Sequence, residues 1–191
     1  MSSKAFNVRK ITQISALLMS NCPNGTIEHV KLIKLLYAID RMAIKELGFP
    51  LSGDSYYSMS KGPILSRTLD LIRGKYSGDE QKEWSSLIGE LSSSFTLALL
   101  NSVDQLPLDQ LSDAEIELIE LVWRELGTAG VWDIVDWTHA AFPEWEDPGS
   151  SSTRITIESI VENLGLGEEE SQGLLEHLEE QKAFDSTFSR L

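Results

Sequence analysis

The side chains best equipped for chemistry in this sequence are three histidines, one cysteine and a cluster of tryptophans. His29, His139 and His177 stand far apart, and the chain has neither a His-x-x-x-His pair nor a second cysteine. The ligand spacing that holds zinc is therefore missing, and no metal site is expected. The 13 glycines are scattered at helix ends rather than gathered into a loop that could cradle phosphate, so no cofactor is expected either. Cys22 lies beside Pro23 in a turn with no cation next to it to stabilise a thiolate, and reads as an unreactive thiol. Asp136 and His139 are three apart on an expected helix, where their side chains can meet in a hydrogen bond that orients the imidazole. All five tryptophans fall between residues 84 and 145. Stacking on single-stranded nucleic acid would require interleaved Lys and Arg, and this region offers only Arg124. The expectation is core packing, with one or two of the indoles exposed at a protein interface.

One catalytic pattern requires weighing. Gly53-Asp54-Ser55-Tyr56 resembles the start of the GDSL-type lipases and esterases, and Asp136-Trp137-Thr138-His139 is similar to their Asp-x-x-His block. That resemblance implies a Ser-dependent hydrolase with Ser55 as nucleophile and His139 and Asp136 completing a triad. The context argues against it. The Ser block of that family follows an early strand of an α/β sheet, whereas here it follows two helices, and the blocks that build the oxyanion hole have no counterpart. No catalytic residue is assigned, and the hydrolase stands as the alternative from another class.

The 191 residues carry a net charge of −14, unevenly distributed. Residues 1–76 hold 11 Lys/Arg against 5 Asp/Glu, and residues 77–191 hold 5 against 25. So acidic a chain is poorly suited to neutralising DNA phosphates, and direct DNA binding is not expected. No apolar run approaches the roughly 20 residues of a membrane helix, and the N-terminus lacks the pattern of a secretory signal. With a single cysteine, these features point to the reducing cytoplasm.

Hydrophobic periodicity and Gly/Pro punctuation organise the chain into helices. A first helix is expected at 5–20 with Ser3 as cap, a second at about 27–47 stopped by Gly48 and Pro50, and a third opening on Pro63 and ending at Gly74. A short helix is expected around Trp84, Leu87 and Ile88. Ser112 and Glu115 form a capping box for a helix to Leu126. Another helix, capped by Thr128, covers about 129–140, and two more cover 157–164 and 168–182. Strands are expected near 55–60 and 95–100, paired with each other. The fold class is mainly α, a helical bundle with a small two- to three-stranded antiparallel sheet. One domain over 1–183 is expected, followed by a frayed tail at 184–191.

Four blocks in order, Lys31–Leu51, Gly53–Ile72, Leu111–Gly127 and Val131–Pro148, are similar to the Panacea domain of SocA-like antitoxins, from toxin–antitoxin systems of bacteria and phages. The resemblance covers about 30–150. Within it Ser60-Lys61-Gly62-Pro63 stands where the family has aromatic-Gly-Pro, so an aromatic position is lost. His139, Pro143 and Trp145 match a family loop whose role is structural, with His139 expected to anchor it by a hydrogen bond. The resemblance implies a non-enzymatic antitoxin that neutralises a cognate protein toxin by direct binding. A protease adaptor or a phage-encoded regulator is the alternative within the family, and a homo-oligomer is compatible with either. Three surfaces compete as the toxin-binding face: acidic helix positions such as Glu117 and Glu120, the basic positions Lys34 and Lys61, and the aromatics Tyr57 and Trp132.

Overall fold

A computed structural model of the protein describes residues 6–102 and 105–188. The chain order is α1 (Val8–Ser20), β1 (Thr26–Glu28), α2 (His29–Leu47), β2 (Tyr56–Met59), β3 (Gly62–Leu65) and α3 (Ser66–Ile72). Then follow α4 (Asp79–Ser85), β4 (Thr96–Ala98), α5 (Asp113–Leu126), α6 (Val131–Ala141), β5 (Thr153–Ile155), α7 (Ile157–Glu162) and α8 (Glu168–Phe188). The mainly helical class with small antiparallel sheets is as expected.

Helix α2 is the pole around which the rest is arranged. Leu32, Ile33, Leu35, Leu36, Ala38, Ile39, Ala43 and Ile44 are all buried, so the helix is apolar around most of its circumference, the pattern of a central helix. It touches α1, α3, α5, α6, α7 and β3. Its stop is the one read from the sequence: Gly48 takes the left-handed conformation at φ 80°, which a glycine adopts without a Cβ penalty. Helix α1 begins three residues later than expected. Asn7, rather than Ser3, supplies the cap by accepting from the Lys10 N–H, and Ser3 lies outside the described residues. The capping box of Ser112 and Glu115 on α5 is present as read. Gly130 rather than Thr128 precedes α6, and α8 continues to Phe188 rather than ending at 182. Of the expected tail, 189–191 lies outside the described residues.

The strands depart most from expectation. Residues 96–98 do form a strand, but it pairs with Thr26–Glu28 (Ile27 opposite Leu97) and not with residues 56–59. Residues 27 and 28, expected as the start of a helix, are therefore extended. β2 is instead the middle strand of a three-stranded antiparallel sheet, with Met59 opposite Gly62 on one side and Tyr56 opposite Ile155 on the other. Pro63 does not open α3. It lies inside β3, where tight pairing with β2 overrides the preference of proline for a helix's first turn. All four residues of β3 are buried, because the strand is pressed against α2 and α6.

Two buried carboxylates fix the loop between α2 and β2. Asp40 accepts from the Leu51 and Ser52 N–H groups and from the Tyr56 hydroxyl, and also bonds the Ser52 hydroxyl. Burial pushes its carboxyl up to about 6, against the pull of those donors. Asp54 accepts from the backbone N–H groups of Ser55, Arg67 and Thr68 and from the Thr68 hydroxyl, so it caps α3 from a distance.

Candidate functional site

Within the lipase-like block Asp54 serves as a cap. Gly53-Asp54-Ser55-Tyr56 is a turn whose Asp holds α3 and whose Tyr holds Asp40. Ser55 stands at one end of β2, its carbonyl accepting from the Ser66 N–H. His139 stacks on Trp145, which in turn donates from Nε1 to the Met59 carbonyl at the other end of β2. Four residues of extended chain separate the two ends, roughly 13 Å. The structure thus does not bring Ser55 to His139, and no hydrogen bond joins Asp136 to that imidazole among the described residues.

The motif residues do converge elsewhere, where α2, α5, α6 and the β2–β3 hairpin meet. Lys34 on α2 is 1% exposed, and its ammonium donates to the Pro63 carbonyl at 2.7 Å. Gly62 lies directly against it with φ +96°. A Cβ there would come within 2.8 Å of Thr138 Oγ1 and 3.0 Å of Lys34 Nζ. A side chain at position 62 therefore meets both backbone strain and a collision. Gly62→Ala is expected to lower stability by about 1–3 kcal/mol, measurable by urea unfolding. At the hairpin turn Lys61 is exposed, with its ammonium 5.2 Å from the centre of the Trp132 ring. Trp132 is itself 62% exposed in the first turn of α6. Lys31, one turn before Lys34, donates to the Gly127 carbonyl in the link between α5 and α6 and lies over Trp123.

His139, expected to anchor its loop by a hydrogen bond, meets the Lys61 backbone at the hairpin turn in one. Its ring stacks on Trp145 at 3.8 Å and 1° between planes, and its buried Nε2 has no hydrogen-bond partner. Burial, helped by the nearby Lys34 charge, holds its pKa below the ordinary histidine value. The loop after α6 is also anchored by Trp145 on Met59 and by Glu144. The Glu144 carboxylate is buried and accepts from the Tyr37 hydroxyl and the Arg41 guanidinium, both at 2.9 Å. Pro143, beside it, is exposed.

Lys34, Lys61, Gly62, Pro63, Trp132, His139 and Trp145 are therefore one neighbourhood. Lys34 is its interior rather than part of the surface. Burial, with Lys61 adding like-charge repulsion, pushes the Lys34 ammonium down to about 7. Tyr57 is half-buried in mid-strand between Ile64 and Arg154. Glu117 and Glu120 are exposed on α5, away from any contact that joins them to this cluster. Sequence reasoning missed Glu144, Tyr37 and Arg41, because an isolated Glu in a loop carries no sign that it is buried.

The motif residues of this mainly helical chain build a basic and aromatic junction. The chain belongs to the SocA-like antitoxin family: the family model for the Panacea domain matches residues 32–146. That span runs from α2 to the Trp145 loop and contains every residue of the junction except Lys31. No curated protein and no solved structure matches the chain significantly. No helix among the described residues is long and apolar enough to cross a membrane.

Proposed function

We propose that the protein is a cytoplasmic antitoxin that neutralises a cognate protein toxin by binding it directly, without a reaction of its own. Family membership supports the antitoxin role. The observation that carries the choice of surface is Trp132, a large indole left 62% exposed within the family's matched region. An exposed indole with a cation over its face has the character of an interface anchor, because it can bury much apolar area with few rotamers to freeze. The other surface expected from sequence, Glu117 and Glu120, has charge but no apolar anchor of comparable exposure joined to it.

The test is co-expression with the product of the adjacent reading frame, followed by measurement of growth and of the affinity of the purified pair. Trp132→Ala is expected to weaken binding by roughly 10- to 100-fold with little change in melting temperature, as for an interface anchor. The double variant Glu117→Lys with Glu120→Lys is expected to bind nearly as tightly as the parent. The reverse ranking would move the toxin to the acidic face. If growth is not rescued by the protein in any pairing, the antitoxin reading fails.

A further inference from the structure

The chain holds 30 acidic residues against 16 basic ones, and several of its cations have a carboxylate within reach. Lys10 pairs with Glu115 and Arg41 with Glu144, and Arg9, Arg67, Lys75 and Lys82 also sit in ion pairs. The cations of the junction lack one, and Lys34 lacks it at depth. Among the described residues no carboxylate lies within ion-pair distance of Lys34, Lys61 or His139. Lys34 spends one of its three donors on Pro63 and is otherwise without a partner at 1% exposure. The Nε2 of His139 is buried and unsatisfied. Unpaired polar groups at such depth are rare in folded proteins and require a reason. Keeping a buried ammonium without an anion is costlier still.

Resting on the antitoxin reading, we propose that this deficit is filled by the partner: a single Asp or Glu side chain of the toxin docks at the rim formed by Lys61, Trp132 and His139, above the buried charge of Lys34. Lys61 is exposed and makes the direct ion pair. Lys34 acts from below, without contact, because its charge is held in a low-dielectric interior where attraction is little screened. The Trp132 ring excludes water from the pair. A nucleic-acid phosphate fits less well, because a polyanion would meet the −14 net charge of the rest of the molecule.

The proposal makes binding depend on pH. The charged groups facing Lys34 are Lys61 from the hairpin turn and the imidazole of His139 from α6, with Lys31 one turn away on its own helix. Asp136 and Asp147 act on His139 from beyond ion-pair distance. A docked carboxylate favours the protonated form of both Lys34 and His139, so the complex takes up protons as it forms.

The experiment uses the full chain and the toxin that it neutralises in co-expression, titrated calorimetrically at pH 6.5 and 8.5 in buffers of different ionisation enthalpy. The expected result is proton uptake on binding and an affinity about tenfold tighter at the lower pH. Lys34→Met is expected to remove most of that pH dependence, and Lys61→Gln to weaken binding at both values by about tenfold. Lys61 is a surface residue, so its variant stays informative even if Lys34→Met misfolds. Charge reversal of one toxin carboxylate should be rescued by Lys61→Glu paired with a Lys on the toxin. Tight binding that is independent of pH and of Lys61 overturns the inference while leaving the antitoxin reading intact. Competition by a short single-stranded oligonucleotide, lost in Lys61→Gln, would overturn it in favour of a phosphate. Failure to neutralise any toxin removes the reading and the inference together.

Discussion

Arg41→Ala is expected to cost the fold about 3–5 kcal/mol. The Glu144 side chain is wholly buried, and Arg41 is the cation that compensates it, at 2.9 Å. Removing one partner of a buried pair leaves the other as an uncompensated charge, which is why the loss exceeds the value of the contact itself. The Tyr37 hydroxyl remains on the same oxygen, and Oε2 has no partner even in the parent protein, so the site has no spare donor to recruit. Arg41 also lies over the Phe142 ring and donates to the Asn163 carbonyl, so it ties α2 to the loop after α6 and to the end of α7. Chemical denaturation of Arg41→Ala, Glu144→Gln and the double variant checks the account. The double variant should recover part of the loss, because it no longer buries a lone carboxylate. If Arg41→Ala loses less than about 1 kcal/mol, the pair behaves as a surface ion pair and the account is wrong.

What the sequence revealed followed the range over which each signal acts. The capping box Ser112–Glu115 and the stop at Gly48 are local, set by residues within one turn, and both were legible. The strands at 56–59 and 96–98 were legible as well, but their partners at 26–28, 62–65 and 153–155 were not, because each is three or four residues long, too short for a two-residue period to stand out. Gly62-Pro63 was read by the local rule for proline at a helix start, but pairing with β2 and pressure from α2 decide its conformation. Lys34 was taken for a surface contact because lysine is rarely buried. The correcting signal was present, since Leu32, Ile33, Leu35 and Leu36 surround it with apolar positions on nearly every side of the helix. The motif blocks of the family were legible as an ordered set. Their convergence at one junction was not, since it depends on α5 and α6 folding back onto α2 across about a hundred residues.

Lys34→Met is expected to make the protein more stable near neutral pH and to flatten its response to pH. The Lys34 ammonium is pushed by burial from 10.5 down to about 7. Between those values the unfolded chain carries a proton that the folded chain lacks, so stability of the parent rises with pH through that window. Below pH 7 the full cost of the buried charge is in force, and above 10.5 it is absent. The span corresponds to a cost on the order of 4 kcal/mol. Methionine matches the lysine stem in shape and carries no charge. It forfeits the bond to the Pro63 carbonyl, which offsets about 1–3 kcal/mol of the gain. The net effect at pH 7 is a stabilisation of about 1–3 kcal/mol, or several degrees in melting temperature for a domain of this size. The window from pH 7 to 9 is the one to use, because burial also pushes the Cys22 thiol up from 9.0, which works in the opposite direction at higher pH. Urea unfolding of parent and variant at half-unit intervals across that window reads both the offset and the slope. A variant that is less stable at pH 7 and keeps the parent's slope would show that Lys34 is charged at no cost, so that its burial gives no reason to seek an anion elsewhere. A variant that is more stable yet neutralises the toxin poorly would show a charge retained against the interest of the fold, for the sake of the partner.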